Sequence, residues 1–320
     1  MRIASITRQS GLLATALLLF VAIVEHLRLM LLPSYAAECA ACIPGASWGK
    51  SAVSTACLLA TGIIIGRFAM RSGIFNNFCT LPIPLFGIAA VGIFITPETL
   101  PASAAAMCIA AAVSMFIRTL SHPDEKNPVF FGSMLLGTAP LLYPPCVVML
   151  ALLPFAALVS FQSWRKIVIA AVGALLPFAA LSYCVWYAGG RVSEPAEGIA
   201  RWFVPDVHAP SLHADGFPIL ATAMTAILLA LAVAGIILKR SDCKTTLTVK
   251  TDRSIQILSA TLVLALAAFA VPRCSVALMP VAAVPVSVLA AAALDRIKPE
   301  PSTLIYWLLL LLLAAHLFLK

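Results

Sequence analysis

The sequence predicts one all-α integral membrane domain over residues 1–320, a polytopic bundle of about eleven transmembrane helices with its N-terminus inside and its C-terminus outside the cell. Three observations predict this fold class. First, 62% of the residues are hydrophobic and only 11% are charged, whereas soluble domains carry about 25% charged residues. Second, long apolar runs recur along the chain, and lipid requires such runs to be helical because each must satisfy its own backbone hydrogen bonds. Third, basic residues concentrate in alternate connections between the runs.

The apolar runs predict the positions of the spans. They are 11–32, 51–66, 80–95, 102–118, 129–143, 145–161, 167–188, 217–238, 255–271, 275–294 and 303–319.

The distribution of Lys and Arg predicts the orientation. With the N-terminus inside, fifteen of the twenty-one basic residues fall in inner segments, as the positive-inside bias requires. They are Arg2, Arg8, Arg67, Arg71, Arg118, Lys126, Arg165, Lys166, Lys239, Arg240, Lys244, Lys250, Arg253, Arg296 and Lys298. The same bias accounts for the formal charge of +8 without a nucleic-acid partner, because no basic cluster has interleaved aromatic residues.

The first span contains a cluster of ionisable residues, Glu25, His26 and Arg28, in its outer half. Such groups are costly in lipid and usually face a cavity or a partner, and Glu25 and Arg28 have the i, i+3 spacing that allows pairing on one helix face. The alternative is that the span ends near Val24 and that the cluster lies at the outer interface. The first reading makes the three residues candidate catalytic groups. The run itself is expected to stay as an uncleaved span, because a signal peptide has a shorter apolar core and a small-residue cleavage site.

The stretch 129–161 is short for two spans and contains Pro140, Pro144, Pro145 and Pro154. Two arrangements are compatible with it. Either two short, kinked helices meet at Tyr143, or the pair is re-entrant and turns back within the bilayer. Broken helices mark substrate sites in some transporters, but a proline-kinked packing hairpin has the same pattern.

The longest outer loop, 189–216, contains two further features. Its EGIARWF segment has the mixture of Trp, Phe and Arg that lies in a membrane interface. Asp206 and His208, followed by His213 and Asp215, offer ligands for a divalent cation or a base with its orienting acid. The alternative is a solvated polar loop, since the spacing matches no established metal motif.

Five of the nine cysteines lie in or at the ends of apolar spans and are predicted to be small packing residues: Cys57, Cys108, Cys146, Cys184 and Cys274. Cys39 and Cys42 form a C-A-A-C pair in the first outer loop, where a redox-active disulfide, a structural disulfide or free thiols are all compatible with the spacing. Cys146 and Cys274 are predicted to lie on the same side of the membrane as this pair.

The chain has no Walker motif, HExxH, GxSxG or glycine-rich nucleotide loop. The sequence therefore identifies no cofactor, and its only predicted partners are the lipid bilayer and a possible lipid-linked substrate.

The stretch from Arg67 to Tyr183 has a recognisable order: RFAMRSGIFNNF, a proline-containing span, GSMLLGTAPLLYPP and then SWRKIVIAAVGALLPF. In this order it resembles an uncharacterised family of bacterial multi-spanning inner-membrane proteins. The resemblance implies a bacterial inner membrane and supplies no catalytic residues.

Two classes of function are compatible with these features. The first is an envelope enzyme that handles lipid-linked sugars, resembling the C-type glycosyltransferases or the glycan polymerases. Its candidate residues are Glu25, Glu38, Arg191, Arg201 and Asp206. The second is a permease or flippase for a small molecule or a lipid, with its site between the first span and the broken 129–161 stretch. A membrane thiol–disulfide redox protein is a third, minor class. The sequence favours the first, because the polar groups concentrate on the outer face.

Overall fold

The computed structural model describes residues 46–318, apart from 76–78, 92–98, 123, 161–162, 205–218, 244–248, 273, 275 and 298. Within these residues all regular secondary structure is helical. The α-helices are α1 (Ala46–Arg71), α2 (Pro82–Val91), α3 (Thr99–Ser121), α4 (Asn127–Leu142), α5 (Leu152–Ser160), α6 (Trp164–Tyr187), α7 (Glu194–Ala200), α8 (Ile219–Cys243), α9 (Val249–Ala268), α10 (Met279–Arg296) and α11 (Pro299–Phe318). Short 3₁₀ helices cover Pro144–Ala151, Arg201–Phe203 and Val276–Leu278.

The predicted all-helical bundle is confirmed for the described residues. Each of the ten predicted spans after the first overlaps an α-helix, and 145–161 is divided between the Pro144–Ala151 3₁₀ helix and α5. The first predicted span, 11–32, lies outside the described residues. Four helices, α1, α3, α6 and α10, are long and apolar enough to cross a membrane. Shorter apolar helices cover Asn127–Leu142, Pro144–Val159, Thr222–Leu238 and Glu300–Ala315.

Helix α10 forms the centre of the bundle. Every residue from Pro280 to Leu294 is buried, because α2, α3, α8 and α9 pack around it. A helix that is apolar on all sides fits such a central position. Its alanines allow close approach: on α8, a Cβ added at Gly235 would collide with the backbone carbonyl of Leu289.

Helix α4 packs between α3 and α6 through small residues. A Cβ on Gly132 would lie 3.0 Å from the Phe116 ring of α3. On the other side, Gly137 lies against the carbonyl of Ala174, and Gly173 of α6 lies against the side chain of Ser133. Small residues let helix backbones approach closely where lipid provides no hydrophobic driving force, so these glycines position the α3–α4–α6 layer.

Helix α4 ends at the position the sequence predicts. Tyr143 has an extended backbone (φ −137°, ψ 103°), and its amide donates to the Ala139 carbonyl at 2.9 Å. Pro144 and Pro145 have no amide proton, so they cannot continue the α-helical hydrogen bonds. The chain continues as an eight-residue 3₁₀ helix, an uncommonly long run for this tighter helix type, and then as α5.

Candidate functional site

The five residues that the sequence nominates, Glu25, His26, Arg28, Asp206 and His208, lie outside the described residues. The same holds for Cys39, Cys42, His213 and Asp215. Their catalytic or ligand roles therefore stay predictions. The structure does describe the segment that leads to Asp206, from Arg191 to Val204, and the elements on which this segment packs.

The predicted interfacial segment is a short helix. Glu194–Ala200 forms α7, and Arg201–Phe203 continues as a 3₁₀ turn. The start of α7 is held locally, because the Ser193 hydroxyl donates to Glu197 Oε1 at 2.6 Å and the Arg191 amide donates to Glu194 Oε1 at 3.3 Å. Both carboxylates are thereby used at the helix N-terminus, where negative charge is stabilising.

Helix α7 and the turn after it pack on the break that follows α4. The rings of Tyr143 and Trp202 meet edge to face, with their centroids 5.7 Å apart. Tyr143 is buried and Trp202 is half-buried. Helix α7 also contacts α4, α6 and the Pro144–Ala151 helix. The loop segment that leads to Asp206 therefore packs on the point where the α-helix ends at Tyr143.

Two guanidinium groups of this segment are available to a ligand. Arg191 and Arg201 are exposed, and within the described residues neither side chain has a hydrogen-bond or ion-pair partner. Guanidinium groups bind phosphate oxygens with two parallel hydrogen bonds. The segment from Arg191 to Val204 can therefore receive an anionic group.

Thiols lie beneath the break. The Tyr143 hydroxyl hydrogen-bonds to the Cys274 sulfur, and Cys146 lies near Cys274. Cys146 also lies near Cys108, which hydrogen-bonds with Thr138. The described cysteines, Cys57, Cys79, Cys108, Cys146, Cys184 and Cys274, form no disulfide.

The surroundings of these thiols indicate what they can do. Cys108, Cys146 and Cys274 are buried, as expected for packing residues, whereas Cys184 is exposed on α6. Within the described residues no group of three or more His, Cys, Asp or Glu side chains is placed to hold a metal ion. Cys146 and Cys274 lie near each other, and their burial favours a packing role over redox exchange. Their predicted position on the same side of the membrane as Cys39 and Cys42 stays a prediction.

An apolar groove lies beside the connection between α9 and α10, which contains Cys274. The residues after α9 and at the start of α10, Phe269 and Met279, line it together with residues of α2 and α8 such as Ala89 and Leu228. Its volume is about 90 Å³. Because its lining is apolar, the groove suits a short stretch of hydrocarbon chain.

Sequence reasoning did not identify Tyr143 as a site residue. The signal was present, because an aromatic residue directly before two prolines at a span end must sit on a helix terminus with an extended backbone. The sequence around Tyr143 does not indicate that its side chain contacts Trp202 and Cys274.

The fold and the site define a helical bundle in which four helices are able to cross a membrane and in which a short surface helix covers a break between two helices. Comparisons with protein families, curated proteins and solved structures find no match to this chain. The resemblance to a family of bacterial inner-membrane proteins therefore stays a prediction.

Proposed function

We propose that the chain is a multi-pass protein of the bacterial inner membrane, with eleven spans, N-in and C-out, that handles a lipid-linked sugar at its outer face. One observation carries the proposal: the segment Arg191–Phe203, which contains α7, packs over the break at Tyr143 and carries the exposed, unpaired guanidinium groups of Arg191 and Arg201. The argument has a membrane part and a substrate part.

Contacts between helices support the alternating topology. The hydroxyls of Ser54 and Ser103 lie 3.2 Å apart, and both residues belong to predicted outer ends of spans. At the predicted inner ends, Lys250 Nζ donates to the Arg71 carbonyl at 3.3 Å. Helices of alternating direction bring outer ends to outer ends and inner ends to inner ends, as these pairs require.

Helix α6 supports embedding in lipid. It is long and apolar, and most of its surface, including Leu175 at 65% exposure, is not covered by the described part of the chain. Exposed aromatic residues stand at both ends, Trp164 at one and Trp186 and Tyr187 at the other. Trp164 and Trp186 are separated by about 33 Å at 1.5 Å per residue, close to the thickness of a bilayer core of about 30 Å. Aromatic belts of this kind are typical of membrane interfaces.

The substrate proposal rests on the combination of charge and apolar surface. Arg191 and Arg201 suit the phosphate groups that join a sugar to its lipid carrier. The groove at Phe269 and Met279 suits part of the carrier's hydrocarbon chain, and Cys274, which hydrogen-bonds with Tyr143, lies between these two residues in the chain. Asp206 and Glu25 are proposed as proton acceptors for a sugar hydroxyl, because carboxylates act as general bases. Asp206 follows Trp202 by four residues, and Glu25 belongs to the first predicted span.

A permease is the second candidate. The observation that favours it is the 3₁₀ helix Pro144–Ala151, whose first two residues are prolines without amide protons. Backbone carbonyls freed in this way line substrate sites in transporters with broken helices.

The test compares cells that carry single substitutions Glu25→Gln, Asp206→Asn and His208→Gln with wild type and with Glu300→Gln, an exposed carboxylate on the predicted inner side. Lipid-linked glycans of the cell envelope are profiled by mass spectrometry. The enzyme proposal expects an accumulated or missing glycan in at least one of the three variants and a normal profile in Glu300→Gln. Normal glycans in all variants would overturn it, and altered solute uptake in the same cells would then support the permease.

A further inference from the structure

Two hydrogen bonds join the C-terminal end of α1 to the first turn of α9. Lys250 Nζ donates to the Arg71 carbonyl at 3.3 Å, and Thr251 Oγ1 donates to the Gly73 carbonyl at 3.2 Å. The two segments are 178 and 179 residues apart in sequence. Two groups of basic residues that are distant in sequence therefore form one surface patch.

The patch, which we call the inner basic patch, consists of Arg67, Arg71, Lys250 and Arg253. Arg67 and Arg71 are four residues apart on α1 and share a helix face, and Lys250 and Arg253 are three apart on α9. Because Lys250 reaches the backbone of Arg71, the two faces adjoin. The arrangement places four positive charges together.

The positive charge of the patch is not neutralised within the described residues. The side chains of Arg67, Arg71 and Arg253 have no hydrogen-bond or ion-pair partner there. The acidic residue in the first turn of α9, Asp252, accepts a hydrogen bond from Gln256 Nε2 at 2.8 Å. By contrast, Arg118 at another predicted inner end pairs with Glu125 at 3.1 Å. Asp252 keeps its negative charge in this hydrogen bond, so the four basic residues and Asp252 together carry a net positive charge. Three guanidinium groups without an ion-pair partner in this region indicate a site for an external anion.

An apolar strip continues from the patch along α1. Val53, Ala56, Ala60 and Ile63 precede Arg67 with alternating spacings of three and four residues, which places them on one helix face. Val53 and Ile63 are about half exposed, and the two alanines between them are small. The strip is therefore an exposed apolar helix face one turn from Arg67, against which a hydrocarbon chain can lie.

We propose that the inner basic patch binds the phosphate of an anionic phospholipid, with one acyl chain along the strip from Ile63 to Val53. The guanidinium groups of Arg67 and Arg71 hold the phosphate with charge-assisted hydrogen bonds, and Lys250 and Arg253 contribute from the α9 side. The strip distinguishes a lipid from a soluble phosphate, because a soluble phosphate has nothing to place there. The proposal rests on the proposed membrane embedding and is independent of the sugar substrate.

The test uses the full-length protein in a neutral detergent and native mass spectrometry with three probes: phosphatidylglycerol, phosphatidylcholine and glycerol 3-phosphate. Wild type is compared with Arg67→Gln/Arg71→Gln and with a control of equal charge change, Arg118→Gln/Arg165→Gln. We expect the patch variant, which loses two cations at about 1 kcal/mol each, to bind phosphatidylglycerol roughly thirtyfold more weakly. The control and the binding of phosphatidylcholine are expected to remain near wild type.

Three outcomes would overturn the proposal. They are an equal loss in the patch and control variants, equal binding of the two lipids by wild type, and binding of glycerol 3-phosphate as tight as that of the lipid. Arg67→Lys/Arg71→Lys keeps the charge and is expected to retain most of the affinity, which separates lost binding from misfolding. Labelling from the two sides of the membrane tests the embedding separately, so a failure of the patch and a failure of the topology are distinguishable.

Discussion

Gly137 of α4 lies directly against the backbone carbonyl of Ala174 of α6, so close that a methyl group at Gly137 would collide with that oxygen. Gly173, next to Ala174, meets the Ser133 side chain and the Phe130 carbonyl of α4 in the same way. The crossing of the two helices therefore depends on backbone-to-backbone contact at two glycines. Helix α4 leads to Tyr143, and α6 leads to the segment that covers it, so this crossing positions the candidate site.

Substitution of Gly137 by alanine is expected to destabilise the protein. The added methyl group must push the Ala174 backbone away, and overpacking of this kind costs about 1–3 kcal/mol, which exceeds the gain of up to about 1 kcal/mol in helix propensity. Thermal unfolding in detergent measures the difference. Gly198→Ala in α7 is the control, because nothing lies within 4 Å of the added Cβ. If Gly137→Ala unfolds no earlier than Gly198→Ala, the two helices do not cross as closely as described.

The helices could be predicted from the sequence because each apolar run must form its own backbone hydrogen bonds, and the break at Tyr143 could be predicted because Pro144 and Pro145 cannot donate. Which helices pack against each other could not be predicted from the sequence. Gly137 and Gly173 look like any other small residues in an apolar run, and which helix each one meets depends on the packing of the whole bundle.

The location of the candidate site at a membrane interface stays a prediction, and its contacts were not predictable from the sequence. The composition of the segment around Trp202 predicted an interfacial position, and the structure adds that the segment is helical and packs on Tyr143. The hydrogen bond between Tyr143 and Cys274 joins residues separated by more than a hundred positions, and no periodicity in the sequence encodes such a pair.

Thr251→Val is expected to weaken the connection between α1 and α9. Valine has nearly the shape of threonine but leaves the Gly73 carbonyl without its 3.2 Å donor, at a cost of about 1 kcal/mol. Thr261→Val in the same helix is the control. Its buried hydroxyl donates only to the Ile257 carbonyl of its own helix, so less is lost there. Chemical denaturation of the two variants gives the comparison, and equal destabilisation would contradict a specific role for Thr251 between the helices.

Trp202→Ala is expected to release α7 from the break at Tyr143. An edge-to-face pair contributes about 0.5–1.5 kcal/mol beyond its buried area, and Trp202 is the aromatic partner of Tyr143. Trypsin cleavage after Arg191, just before α7, should therefore become several-fold faster. Trp202→Phe keeps a ring against Tyr143 and is expected to remain near wild type, as is Trp164→Ala at an exposed position. Unchanged cleavage in Trp202→Ala would mean that the pair does not hold the segment in place.

The proposed orientation is tested by labelling two exposed positions at opposite ends of the bundle. Gly198→Cys places a thiol on α7, where the space around the Cβ is open, and His122→Cys places one directly after α3. In intact spheroplasts a charged, membrane-impermeant maleimide is expected to label position 198 and not position 122, because only the first lies on the proposed outer side. Peptide-resolved mass spectrometry identifies the labelled cysteine, so the native cysteines need not be replaced. Permeabilised membranes are the control and should show both labels. Labelling at position 122 alone in intact spheroplasts would reverse the orientation, and labelling at both positions would exclude a membrane between them.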